Sequence, residues 1–208
     1  MAVSDVVAAM RWLGHDGFLI KGNDRSIYID PFKIESGDPA DVILVTHEHF
    51  DHCSPEDIQK VQKEDTVIVT DAESAAKLSG NVMVVKPGDR VDPAGVDVEA
   101  VPAYNVNKRF HPRDKGWLGF VVTVDGVRVY HAGDTDLIPE MSDLHVDIAL
   151  LPVSGTYVMT AQEAVEAVKR INPKVAIPMH YGAIVGSEND AATFTAAAEE
   201  FCKVVVLE

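Results

Sequence analysis

Short apolar runs broken by turn residues open the chain. Residues 10–13, 18–21 and 26–29 read as strands, and Gly22-Asn23-Asp24 supplies a hairpin turn between the last two. Residues 41–46 (DVILVT) form a near-continuous apolar run, as a strand covered on both faces does. Ser54-Pro55-Glu56-Asp57 then predicts a helix start, with Ser as N-cap, Pro in the first turn and acids facing the helix dipole. From there strands and helices alternate. Residues 66–70, 82–86, 96–101, 120–124, 127–130, 147–151 and 174–177 read as strands, and Asp125-Gly126 turns one into the next. A short helix is expected at 72–78. Thr160 and Glu163 form a capping box ahead of an apolar stripe of Ala161, Ala164, Val165, Val168 and Ile171. Ala191, Phe194, Ala198 and Phe201 stripe a last helix, and residues 204–207 close as a strand. The sum predicts an α/β architecture of two packed sheets with outer helices.

Composition narrows the class. The chain has 208 residues, enough for one sizeable core, so a single domain over 1–208 is expected. Apolar residues make up 47% and charged residues 25%, and no apolar run approaches the ~18 residues of a membrane span. The net charge of −15 argues against a bulk electrostatic grip on nucleic acid or an anionic membrane. Two cysteines, Cys53 and Cys202, make no disulfide framework, and residues 1–10 lack the basic stretch and apolar run of a leader. A cytoplasmic protein acting on a small molecule is the expectation, and an oligomer built on a sheet edge or helix face is compatible with it.

Eight histidines bring the chemistry into view, three of them within six residues. Thr46-His47-Glu48-His49-Phe50-Asp51-His52 follows directly on the buried strand at 41–46. His47 and His49 are two apart, so extended backbone projects both rings to one side. Together with Asp51 and His52 they place four imidazole or carboxylate groups on one strand-to-helix loop, a ligand set suited to Zn, and also to Fe, Mn or Ni. A His/Asp set leaves positions for water, unlike the Cys-rich sets of zinc fingers. His131-Ala132-Gly133-Asp134-Thr135-Asp136 follows another predicted strand, and Pro178-Met179-His180 ends a third. Alone, Thr135 or Asp136 reads as a helix cap and His180 as an exposed strand end. Jointly, each segment brings a ligand to the C-terminal end of a strand, where sites of such sheets collect. Cys53 reads as a partly buried thiol, and His131 as a satisfied polar residue.

The motifs His47-x-His49-x-Asp51-His52, Gly133-Asp134-Thr135 and the late His180 resemble the metallo-β-lactamase-fold hydrolase superfamily, in its order and over most of the chain. Trp12-Leu13-Gly14-His15, Phe18 and Ile29-Asp30-Pro31 resemble the start of its single-domain branch, which includes ascorbate-6-phosphate lactonase and N-acyl-phosphatidylethanolamine phospholipase D. The resemblance implies a four-layer αβ/βα sandwich with a dinuclear site on one edge, two Zn ions by default. His47 and His49 would bind the first metal. Asp51, His52 and His180 would bind the second, Asp134 would bridge, and Asp30 would orient the histidine loop. Water activated between the metals would attack a small ester, lactone or phosphodiester, with Asp51 or Asp134 taking its proton. One departure concerns the first metal. Family members carry a third His after a Pro-Ala-aromatic element, and Pro102-Ala103-Tyr104 is followed here by Asn105, a weak oxygen ligand. His111, six residues on, is the other candidate.

The loop that follows is dense in cations, and Lys108, Arg109 and Arg113 are candidates to meet an anionic substrate group. Trp117 reads as core or loop packing. Two other functions stay open. One is a di-iron oxidoreductase on the same scaffold, against which His49 and the short chain weigh. The other is a non-catalytic metal-binding protein with a degenerate first site.

Overall fold

The computed structural model describes residues 2–22 and 24–207, so Asn23 of the expected hairpin turn lies outside the described residues. Two sheets form the frame. The first runs β1 (Met10–Gly14), β2 (Gly17–Gly22), β3 (Arg25–Ile29), β4 (Ala40–Leu44), β5 (Gln62–Thr70) and β6 (Asn81–Val84) in spatial order. The second contains β7 (Arg90–Val91), β8 (Val98–Pro102), β9 (Leu118–Val124), β10 (Val127–His131), β11 (Ile148–Pro152), β12 (Val175–Met179) and β13 (Lys203–Val204), also side by side in chain order. Each sheet starts as an antiparallel meander and continues as a parallel half, from β3 in the first and from β10 in the second. Among the described residues five α-helices join these strands: α1 (Val3–Ala8), α2 (Pro55–Val61), α3 (Ala72–Ala75), α4 (Ala161–Ile171) and α5 (Glu188–Ala198).

The pleat of the first sheet sorts its side chains into two cores. Phe18, Ile20, Ile27, Ile29, Val42 and Leu44 point to the second sheet and pack with Val98, Leu118, Phe120 and Val122. Their neighbours Leu19, Tyr28, Ile43 and Val45 point the other way and pack under Ile58 and Val61 of α2. The stripe of α4 and Phe194 of α5 cover the far side of the second sheet. The layers are therefore helix, sheet, sheet, helix, which is the expected αβ/βα sandwich. Each fully buried Phe or Ile contributes about 1.5–3 kcal/mol relative to exposure.

The capping signals hold at two helix starts. Ser54 Oγ accepts from the Asp57 amide, and Thr160 Oγ1 accepts from the Glu163 amide while Glu163 reaches back to the Thr160 N–H. Differences fall at short elements. α1, with Val6 alone buried, and the two-residue β7 carry too little pattern to read from sequence. The helix expected at 72–78 ends at Ala75, α5 ends before Phe201, and the last strand is confined to Lys203–Val204. Phe201 lies exposed under the Lys169 ammonium, 4.7 Å from its ring centre. Among the described residues no helix is long and apolar enough to cross a membrane.

Candidate metal centre

Strands of both sheets deliver their C-terminal ends to one rim. β3 ends into Asp30, β4 into Thr46 and the histidine loop, β8 into Asn105, β10 into Asp134, and β12 into His180. Asp30 is fully buried and has every contact satisfied. It accepts from the Thr46 N–H (2.8 Å), the Thr46 hydroxyl (2.6 Å) and His52 Nδ1 (2.8 Å). Its expected orienting role thus has a geometric basis. Because the Thr46 hydroxyl spends its proton on Asp30, it must accept from His47 Nδ1 at 3.0 Å, which leaves the His47 Nε2 lone pair free.

The same logic repeats around the rim. His111 Nδ1 donates to the Tyr157 carbonyl (3.2 Å), so Nε2 faces inward. Ser154 Oγ donates to the Thr156 carbonyl and accepts from His180 Nδ1 (2.9 Å), so His180 Nε2 also faces inward. Protein acceptors hold one nitrogen of each ring and aim the other, the usual support of a metal-ligating histidine.

Three inward nitrogens meet first. His47 Nε2 is 2.9 Å and His111 Nε2 3.3 Å from His49 Nδ1. A proton on His49 Nδ1 can bridge these contacts, and so can a cation, since ligands of a tetrahedral ion at about 2.1 Å stand roughly 3.4 Å apart. Trp117 packs against all three rings, with its centre 4.9 Å from His47, 4.8 Å from His49 and 5.4 Å from His111. His111, not Asn105, is the third member of the set. The Asn105 amide is committed elsewhere, its Oδ1 accepting from the His111 N–H (3.0 Å) and its Nδ2 donating to the Tyr157 carbonyl (2.7 Å). Asn105 thereby clasps the loop that brings His111 in. Thr135 and Asp136 fasten that loop rather than cap a helix. The Tyr104 N–H donates to Thr135 Oγ1, and Asp136 accepts from the Val106 N–H (2.8 Å) and pairs with Lys108.

A second group lies beside the first. Donor atoms of Asp16, His52, Asp134 and His180 all fall within 4.8 Å of one another, and all four residues are buried. Asp134 joins the two groups. Its Oδ2 is 3.2 Å from His111 Nε2 and 3.3 Å from His180 Nε2, and its Oδ1 is 3.4 Å from His52 Nε2. Gly133 makes this approach workable. Its φ of +61° is left-handed, and a Cβ there would stand 2.5 Å from the Leu118 carbonyl. Asp51 sits at the mouth, its Oδ2 3.1 Å from His15 Nε2 and 3.8 Å from His52 Nε2. Three of these residues, His15 (φ 52°), Asp30 (φ 43°) and His180 (φ 59°), hold left-handed backbone, which L side chains rarely adopt.

The electrostatics are those of a cluster built around positive charge. Burial pushes the His47, His49 and His15 pKa values down, keeping these rings neutral and able to ligate. Burial also opposes charge on His52 and His180, yet Asp134 and Asp30 outweigh it at His52, and Asp134 and Asp16 lift His180 to about 9. Burial pushes Asp134 up, and the positive His180 and His52 more than reverse this, holding it well below the usual carboxylate range. Buried atoms with no hydrogen-bond partner gather here too: both Asp16 oxygens, His52 Nε2, Asp134 Oδ1 and His15 Nδ1. Divalent cations fit this donor set, and a cation there would give these unpartnered atoms a counter-charge.

His131 is buried and satisfied, with Nε2 donating to the Asp16 carbonyl (2.9 Å) and Nδ1 accepting from the Gly133 N–H (3.2 Å). Cys53 is buried outside the cluster, and burial pushes its thiol up to about 11. Arg113 pairs with Glu140 and lies over the Tyr104 ring, while Lys108 is held by Asp136. Arg109 is exposed, and no ion pair or hydrogen bond involves it among the described residues. His15 and Asp16, at the turn between β1 and β2, also join the cluster, and the sequence pattern does not mark them as members. Nor does it give Trp117 a role at the metal set.

A four-layer αβ/βα sandwich with histidines and carboxylates converging on one rim defines a metallo-β-lactamase-fold protein. Comparison with known proteins agrees. The model of the beta-lactamase superfamily domain matches residues 9–180. A UPF0173 metal-dependent hydrolase of Methanoregula boonei is 35% identical over 202 residues, covering 91% of this chain and 89% of its own. A crystal structure from Parabacteroides distasonis superposes with a TM-score of 0.85 at 37% identity, over 96% of this chain and 93% of that one. Igni18, a metallo hydrolase from Ignicoccus hospitalis, superposes with a TM-score of 0.80 at 26% identity, over 96% and 94% of the two chains. The chain belongs to the UPF0173 metal-dependent hydrolases of the β-lactamase superfamily.

Proposed function

We propose that the protein hydrolyses a small ester, lactone or phosphodiester with two divalent cations, Zn²⁺ by default. His47, His49 and His111 would hold the first, His52, His180 and Asp51 the second, and Asp134 would serve both. The observation that carries this reading is the Asp134 carboxylate, one oxygen of which stands 3.2 Å from His111 of one group and 3.3 Å from His180 of the other. Cations bound there would make water nucleophilic at neutral pH and polarise the electrophile.

The chain's own residues have separable tasks. Asp51 lies at the mouth with its side chain 15% exposed, so it can take a proton from an incoming water and pass it outward. His15 donates to Asp51 and fixes which oxygen is free. Asp30 and Thr46 keep His47 and His52 in their ligating tautomers. Around the mouth stand Phe50, Val106, Phe110 and Tyr157, all exposed, with the Phe110 and Tyr157 rings 4.5 Å apart. They would shed water and contact an apolar part of the substrate. Lys108 and Arg113 have partners already, so Arg109 is the loop cation best placed for an anionic group.

The test is metal quantitation on native protein with a screen of lactones, phosphodiesters and aryl esters. Turnover should require about two divalent ions per chain and disappear in His49→Ala. Activity that survives His49→Ala or exhaustive chelation would overturn the mechanism.

A further inference from the structure

The outer face of the second sheet carries a cavity that plays no part in the metal centre. Tyr130 pairs with Val121, and Val121 with Glu99, so these side chains share the face opposite to Val98, Phe120 and Val122. Residues 138–144 lie over this face, and a cavity of about 170 Å³ is left between them and the strands. That is close to the size of a cavity that takes up benzene. Val101, Ile138, Met141 and Leu144 give it mainly apolar walls, and none of the metal-centre residues lines it.

Tyr130 supplies the polar point. It lines the cavity and is only 1% exposed. Its hydroxyl makes no hydrogen bond among the described residues. Nor is it one of the buried atoms sealed off without a partner, so it opens into the cavity. Burial and the charge of Glu140 push its pKa up, so it keeps its proton and stands there as a donor. Phe would fill the same space, whereas a buried Tyr hydroxyl ordinarily has a partner.

The charge of a fitting ligand follows from the lining. Glu99, Glu140 and Asp143 line the cavity and no Lys or Arg does, so an anion is repelled. Glu140 already accepts from the Tyr104 hydroxyl and pairs with Arg113, both at 2.8 Å. Glu99 pairs with Arg90 and Arg128. Two of the three carboxylates are thus neutralised from outside, and Asp143 is exposed, so the cavity does not call for a cation. A ligand hydroxyl suits these groups, because its oxygen accepts from Tyr130 and its proton can go to a lining carboxylate.

We propose that this cavity is a binding site for a small neutral alcohol or phenol, with an apolar ring-sized body against Val101, Met141 and Leu144 and its hydroxyl on Tyr130. The site is separate from the metal centre and stands independently of the hydrolase reading.

The test uses the full chain with isotope-labelled methionine methyl groups, titrated with benzyl alcohol, toluene, benzoate and benzylamine. Met141 is wholly buried in the cavity wall, so its methyl resonance reports binding there and not at the metal mouth. Ligands this small bind at about 0.1–10 mM. Benzyl alcohol should shift the Met141 signal at concentrations about 5-fold below those toluene needs, the worth of one neutral hydrogen bond. Benzoate should leave the signal unmoved, and benzylamine should bind no more tightly than benzyl alcohol. Tyr130→Phe should weaken benzyl alcohol to the affinity of toluene and leave toluene unchanged. This variant loses no hydrogen bond within the protein, so it should melt as wild type does. Equal affinity for benzyl alcohol and toluene in wild type, a preference for the alcohol that survives Tyr130→Phe, or tighter binding of benzylamine would each overturn the site. A Met141 signal unmoved by all four compounds would reduce the cavity to a recess for water and overturn it as well.

Discussion

Asn105 offers the sharpest test of how the first metal set is assembled. Asn105→Ala removes the acceptor of the His111 N–H (3.0 Å) and the donor to the Tyr157 carbonyl (2.7 Å). A buried group left without its partner costs about 1–3 kcal/mol. Tyr157 is partly exposed and water can replace its lost donor, so the total for the loop is about 2–3 kcal/mol. Part of this is absorbed locally, because the Asn105 N–H still donates to the His111 carbonyl (2.6 Å) and Asp136 still holds Val106. With about half passed on to the position of the His111 ring, Zn²⁺ affinity falls by about 5–10-fold. Competition with a chromophoric chelator measures this directly. His111→Ala sets the ceiling, and Asn105→Asp, which keeps the acceptor and loses the donor, should fall between Ala and wild type. Wild-type Zn²⁺ affinity in Asn105→Ala would refute the clasp.

Two further expectations are simpler. Arg109→Ala should raise KM for an ester bearing a carboxylate by about 5-fold, as loss of an exposed ion pair does, and leave KM for a neutral ester unchanged. Equal effects on both substrates would remove Arg109 from recognition. Burial holds the Cys53 thiol near 11, whereas Cys202 is half-buried, so native protein treated with iodoacetamide at pH 8 should be alkylated at Cys202 first. Equal labelling of the two cysteines by mass spectrometry would contradict that environment.

Much of the site was legible because its signals are local or lie at strand ends. His47, His49, Asp51 and His52 share one loop, and Asp134 and His180 each follow a recognisable apolar strand. The long helix α4 was legible from its capping box and stripe, since both are periodic. What escaped depends on contacts distant in sequence. The choice between Asn105 and His111 is made by Tyr157, whose carbonyl receives both side chains from a separate loop. His15 and Asp16 acquire their meaning from Asp51, His131 and His180, none of them neighbours in the chain. Short elements such as α1 and β7 escaped for the opposite reason, since a single turn or a two-residue pair has no period to detect.

The left-handed backbone at His15, Asp30 and His180 has a consequence for how this protein would evolve. Each such residue gives up about 1–2 kcal/mol that glycine would recover. The conformation turns the chain sharply at the hairpin tip and at two strand ends, where the ligand groups converge. Selection for heat resistance alone, blind to catalysis, would find these positions early and replace them with glycine or asparagine. The most thermostable descendants would keep the sandwich and lose the chemistry, so durability and activity have to be selected together in this scaffold.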